Sequence, residues 1–281
     1  MLVHLVADFG VNDLAFAEVT QALVTRLPTA VVVSTTVGPF DTLAAGFVAA
    51  QLAAAPAPEG ALMLLNVAPR RDDTGPRVDN DGERLLVAEM PGGFRVLGVD
   101  AGHSFSFLAE AAARVWAVDW PTKGSQFRSR DLFPEAVARL AAGELAPSRR
   151  AGTIPPVPDS CVAYVDGFGN VKTTIRWEGA LARHAGAAVE VEVGGVRHPA
   201  RVAGGSFAVP QGELAVAPGS SGYQRHEPAP AAGDRRSDGD GPSAGDGRVR
   251  WVELFLRGGS AAEALRARGG TPVVLHLPIS E

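Results

Sequence analysis

Tyr164-Val165-Asp166-Gly167-Phe168-Gly169-Asn170-Val171-Lys172-Thr173-Thr174 reads as a β-strand that ends in a sharp Gly-Phe-Gly turn. The turn brings a carboxylate, an aromatic face and a carboxamide close together. Such a set can hydrogen-bond an amino or hydroxyl group, cover a flat ring and read a heteroaromatic edge.

On the N-terminal side of this stretch, apolar runs and helical spacings alternate. Val3 to Ala7 is a short apolar run, as expected of a parallel strand. Asp8-Phe9-Gly10 then turns the chain into a helix from Leu14 to Arg26. Strands are expected at Ala30–Ser34, Ala61–Val67, Arg84–Glu89, Phe94–Val99 and Val115–Val118. Helices are expected at Thr42–Ala54 and Asp131–Ala142, with Pro134 tolerated in the first turn. This alternation predicts right-handed βαβ units and an α/β sandwich over residues 1–150.

Glu144 to Pro158 carries four prolines and no periodicity, so a domain boundary is placed there. Beyond it, short strands at Val189–Val193, Val196–Val202, Glu213–Ala217, Arg250–Leu256 and Pro272–Leu277 predict a smaller, all-β, barrel-like domain over 151–281. Residues 225–247 contain no large apolar side chain and read as a flexible insertion.

Composition narrows the function classes. The chain has 281 residues, 46% hydrophobic and 20% charged, which allows two globular cores. A net charge of −5 and the lack of a basic block argue against a nucleic-acid partner. One cysteine, Cys161, excludes an internal disulfide and a multi-cysteine zinc site, and reads as a small buried side chain. The six histidines show no metal-ligand spacing, so no metal is expected. The N-terminus lacks a basic n-region and no apolar stretch reaches about 18 residues, so a cytoplasmic protein without a membrane partner is expected.

Asp8 and Asp13 flank the first strand-to-helix turn, where open α/β sheets bind ligands. Helix capping by Asn12 or Asp13 is the competing reading.

Ala7-Asp8-Phe9-Gly10-x-x-Asp13 resembles the opening motif of the S-adenosylmethionine hydroxide adenosyltransferases, a family that includes fluorinases and chlorinases. Thr35-Thr36-Val37-Gly38-Pro39-Phe40-Asp41 resembles its second motif, with Phe40 where an aromatic side chain covers the nucleoside. Ser125-Gln126-Phe127-Arg128-Ser129-Arg130-Asp131-Leu132-Phe133 is similar to the motif near the sulfonium. Asp166-x-Phe168-Gly169-Asn170 resembles the segment that holds the amino-acid end and adenine. Gly219-Ser220-Ser221-Gly222 and the tail Trp251 to Leu277 match the remaining pattern.

The resemblance implies an N-terminal α/β domain, a C-terminal β-barrel-like domain, and a homotrimer with its sites between subunits. It also implies ligand contacts from Asp8, Asp13, Phe40, Asp166, Phe168, Asn170, Ser220 and Ser221. The departures from the pattern bear on chemistry. The family's hydrolytic Asp position is Ala68, followed by Pro69 and Arg70-Arg71-Asp72, and its His position is Arg128. Arg77 is too loosely spaced to stand in for the family's Arg. An alanine accepts no proton, and an arginine is no general base at neutral pH. Ser129 matches the halide-binding serine of fluorinases, but the other halide-pocket positions, Ala68 and Arg71, have changed. Asp100-Ala101-Gly102 replaces an Asp-Asn-Gly turn, and His103 follows it.

The leading expectation is therefore a repurposed enzyme that needs no cofactor and acts on a small, more apolar molecule. Cyclisation of a polyketide-like intermediate, including a pericyclic reaction, needs no ionising group. Arg128, Asn66 and Ser129 are the candidate catalytic residues. Phe9, Phe40, Met63, Leu65, Ala68 and Phe127 are the candidate pocket lining. Two alternatives remain: adenosyl transfer from bound S-adenosylmethionine to another nucleophile, and a non-catalytic small-molecule binder.

Overall fold

A computed structural model describes residues 1–68, 81–145, 147–150, 152–205, 207–224 and 248–278. The readings of Pro69, Arg70-Arg71-Asp72, Arg77 and the insertion 225–247 lie outside these residues.

The first sheet is built from β1 (Leu2–Ala7), β2 (Val31–Thr36), β3 (Leu62–Asn66), β4 (Leu85–Glu89), β5 (Arg95–Val99), β6 (Arg114–Val118) and β7 (Pro147–Arg150). Their spatial order is β2-β1-β3-β5-β4-β6-β7. β2, β1, β3 and β5 run parallel, and β4, β6 and β7 add on antiparallel. The sheet is thus mixed. β7 falls inside the stretch expected to be irregular. It forms because an edge strand tolerates Pro147 at its first position.

Helices α1 (Leu14–Arg26) and α2 (Thr42–Ala54) connect β1 to β2 and β2 to β3. The side chains of α1 join the core on one face of the sheet, with α5 (Phe133–Ala142). Those of α2 join the core on the other face, with α3 (Ser106–Ala111). β1 therefore sits where the winding reverses, and its carboxyl end opens on the topological switch point.

The second sheet has the order β14-β10-β11-β12-β13-β9-β8. Its strands are β8 (Val162–Val165), β9 (Val171–Arg176), β10 (Ala188–Val193), β11 (Val196–Val202), β12 (Leu214–Gln224), β13 (Arg248–Leu256) and β14 (Val273–His276). It curls into a half-barrel. Two short helices, α6 (Gly179–Arg183) and α7 (Ala261–Leu265), were not foreseen in this all-β reading.

α2 joins the two sheets. It buries ten of its thirteen residues, as a helix that is apolar all round must. The cluster around it includes Val6, Met63 and Leu65 from the first sheet and Cys161, Ala163 and Trp251 from the second. Four rings continue the contact. Phe47 packs on Phe107 at 5.5 Å and on Tyr164 at 6.2 Å, and Phe107 packs edge-on to Trp251 at 5.5 Å. Arg176 reaches across the junction to Glu110 at 2.8 and 3.0 Å.

Small residues let α2 approach its neighbours. A Cβ at Gly46 would overlap the His103 carbonyl oxygen, and backbone there cannot simply step aside. Gly46→Ala is expected to lower stability by about 1–3 kcal/mol, read by urea denaturation. A loss below about 0.5 kcal/mol, the range of neutral surface changes, would contradict this packing.

Candidate functional site

The parallel register sets Asn66 beside Ala7, so the ends of β1 and β3 open side by side. Asp8 follows β1, and its Oδ2 accepts the Phe40 amide N–H at 3.0 Å. Phe40 has φ +60°, a left-handed conformation that costs a non-glycine residue about 1–3 kcal/mol. The Asp8 carboxylate helps hold that strained turn. One residue on, Asp41 caps α2 by accepting the Ala44 amide at 2.9 Å. Asp13 takes the capping role on α1, accepting the Ala15 amide at 2.8 Å.

Beside Asp8 lies an aromatic wall. Phe9 packs edge-on to Phe16 at 5.1 Å and to Phe127 at 6.0 Å. Ala68 packs against the same cluster. Arg128 opens α4 (Arg128–Asp131); one guanidinium nitrogen donates to the Glu83 carbonyl at 2.7 Å, and the group lies 5.0 Å over the Phe133 ring. Gly82 leaves the guanidinium its space, since a Cβ there would overlap it. Ser129 and Asn66 are both buried polar residues.

Met63 and Leu65 were expected to line the pocket, and the structure corrects this. Both are fully buried in the α2 core, because alternation along β3 turns them toward α2 and away from Phe9 and Ala68.

The second half of the site is the hairpin between β8 and β9. The Asp166 carboxylate accepts the Phe168 amide at 3.0 Å, the Asn170 amide at 2.9 Å and the Asn170 side-chain amide at 2.9 Å. The Lys172 ammonium stands at 3.4 Å and pairs with buried Glu253 at 2.6 Å. A carboxylate offers about four acceptor positions; its own hairpin takes three of them, and the Lys172 ammonium stands beside Oδ2. Burial pushes the Asp166 carboxyl up, but the Asn170 amides, Lys172 and the Phe168 amide outweigh it and hold the group below its usual value. Gly169, at φ +82°, fits where any Cβ would strike Ser260. Phe168 stands 85% exposed at the tip. Ser220 is exposed beside a bulge in β12. The Ser221 side chain lies outside the described residues.

The sequence reading did not assign Lys172 or Glu253, though Lys172 lies within the decisive stretch. A lysine on the buried part of a strand was the available signal. His103 packs at the start of the α3 turn, its Nδ1 3.1 Å from the Ser106 hydroxyl. Burial lowers its pKa, against a raising contribution from the Pro156 carbonyl. It borders a cavity of about 690 Å³ with Phe40, Asp41, Cys161 and Arg268. Among the described residues no group of three His, Cys, Asp or Glu could hold a metal ion, and no helix is long and apolar enough to cross a membrane.

An α/β domain packed on a curled β domain, with carboxylates at the switch point and in the hairpin, defines the class. The profile of the S-adenosylmethionine hydroxide adenosyltransferase N-terminal domain matches residues 3–149, and that of the C-terminal domain residues 160–225. The chain belongs to this family. Among solved structures it is similar to an uncharacterized conserved protein from Thermotoga maritima, with a TM-score of 0.72 and 20% identity, covering 97% of this chain and 99% of that one. It is also similar to a conserved hypothetical protein from Thermus thermophilus, with a TM-score of 0.60 and 24% identity, covering 97% of this chain and 98% of that one. These likenesses bear on fold alone. No curated protein matches the chain.

Because the folded Asp166 pKa is depressed, its stabilisation is complete above the usual 3.8 and disappears as pH falls through the lower folded value. Asp166→Asn is therefore expected to be less stable at neutral pH, and to lose less stability than wild type between about pH 6 and about pH 3. Urea denaturation across that range measures it. Parallel acid profiles would contradict the pairing.

Proposed function

We propose that this chain is an enzyme in which the family's cleft serves a reaction independent of S-adenosylmethionine, on a small, largely apolar natural-product-like molecule. The observation that carries the reading is the Asp166 carboxylate, which accepts three hydrogen bonds from its own hairpin and stands beside Lys172. A ligand ammonium there would compete with Lys172 and with those hydrogen bonds. Ala68 offers no proton acceptor. Arg128, donating to Glu83 and lying over Phe133, is a fixed cation and not a base.

A cleft of this kind suits a reaction in which rate comes from holding one conformer. The wall of Phe9 and Phe127 supports an apolar chain. Arg128, Asn66 and Ser129 are the donors proposed to polarise a carbonyl as charge develops on it. Cyclisation of a polyketide-like intermediate, including a pericyclic closure, fits these requirements without a cofactor. The exposed Phe168 supports a site completed by a second copy of the chain, in a homotrimer with its sites at the subunit interfaces.

The family match over both domains favours a second reading, adenosyl transfer from bound S-adenosylmethionine with Asp8, Phe40, Asp166, Phe168 and Asn170 as contacts. One experiment separates the two. The purified protein is incubated with S-adenosylmethionine, with and without chloride, and adenosine, chlorinated nucleoside and methionine are sought by mass spectrometry. The proposal expects none above the uncatalysed background. Release of any of them at enzymatic rates would overturn it.

A further inference from the structure

The turn that leads into α2 carries an uncommon residue at its bend. The Asp41 amide donates to the Gly38 carbonyl at 3.1 Å, closing a β-turn with Pro39 and Phe40 at its centre. Pro39 suits the second position of either common turn type, since its ring fixes φ at about −65°. The third position decides between them. Type I takes negative φ there, whereas type II takes positive φ and favours glycine or asparagine. Phe40 stands at φ +60°, so the turn is type II with a phenylalanine at the glycine position.

The two types interconvert by rotation of the Pro39–Phe40 peptide plane, which exchanges the directions of the Phe40 N–H and the Pro39 carbonyl. In this structure the N–H points at Asp8, whose Oδ2 accepts it at 3.0 Å. A carboxylate only accepts. The flipped peptide would aim a second acceptor at it, so Asp8 selects the type II turn against the backbone preference of Phe40.

We propose that the Pro39–Phe40 peptide is a two-state switch set by what engages the Asp8 carboxylate. A ligand hydroxyl or ammonium that takes Oδ2 displaces the Phe40 amide and offers a donor to the Pro39 carbonyl. The peptide then flips, and the strain at Phe40 is relieved. Phe40 lines the cavity of about 690 Å³ that also meets His103, Cys161 and Arg268. The flip re-aims Phe40 there, so occupancy at the end of β1 changes the space beside the start of α2. Only the identity of the ligand rests on the cleft reading. The two turn states need no substrate, so a failure of the switch and a failure of the proposed reaction are read separately.

Asp8→Asn in the full chain tests the switch without a ligand. The carboxamide keeps the size of the side chain and can accept from Phe40 or donate to Pro39, so backbone strain decides. A crystal structure of the variant is expected to show negative φ at Phe40, with the Pro39 carbonyl facing the carboxamide. Retention of positive φ would overturn the proposal. A double-mutant cycle reads the same state in solution by urea denaturation. Glycine adopts positive φ freely, so Phe40→Gly relieves strain only where the turn is type II. Its effect on the folding constant should be at least about fivefold more favourable with Asp8 present than in Asp8→Asn, the low end of such strain. Additive effects of the two substitutions would equally overturn the switch.

Discussion

Helix α2 buries ten of its thirteen residues because it serves two sheets at once. A helix between two layers can have no polar face, so alanine, glycine, leucine, valine and phenylalanine fill it. Gly46 admits the α3 turn, and Phe47 meets both Phe107 and Tyr164. The two domains therefore share the core cluster around α2. The position of the Phe40 turn relative to the second sheet follows from that packing, since Phe40 and Asp41 lead directly into α2.

The same economy governs the charged groups. Asp8 holds the Phe40 turn, Asp13 and Asp41 cap helices, and Asp166 closes its own hairpin. Each carboxylate that a sequence pattern would assign to a ligand also has a structural task. At Asp166 the task takes three hydrogen bonds, and the Lys172–Glu253 pair beside it is largely buried, where breaking one partner is costly. The proposed loss of water activation rests on that local arrangement together with Ala68 and Arg128.

Much of the fold was legible in the sequence. α1 and α2 run over the expected residues because their apolar spacing and Asp caps agree, and the parallel strands read as short apolar runs. β7 was missed because Pro147 and the arginines after it resemble a linker until an edge strand claims them. α7 was missed because five residues carry too little periodicity. At the candidate site, Asp8, Phe9, Ala68, Phe127 and Arg128 lie around the ends of β1 and β3 and the turn that follows β6; the motifs named these residues, and their role stays a proposal. Met63 and Leu65 failed because motif proximity says nothing about which face of β3 a side chain takes. The Asp166–Lys172–Glu253 cluster depends on pairing between β9 and β13, two strands far apart in the chain, which spacing alone does not encode.

The shared core is the claim on which the relation between the two halves of the site rests. Differential scanning calorimetry of the full chain tests it directly. One cooperative transition is expected, with calorimetric and van't Hoff enthalpies in agreement, because the cluster around α2 draws on both sheets. Two separated transitions, with the C-terminal domain melting on its own, would contradict it.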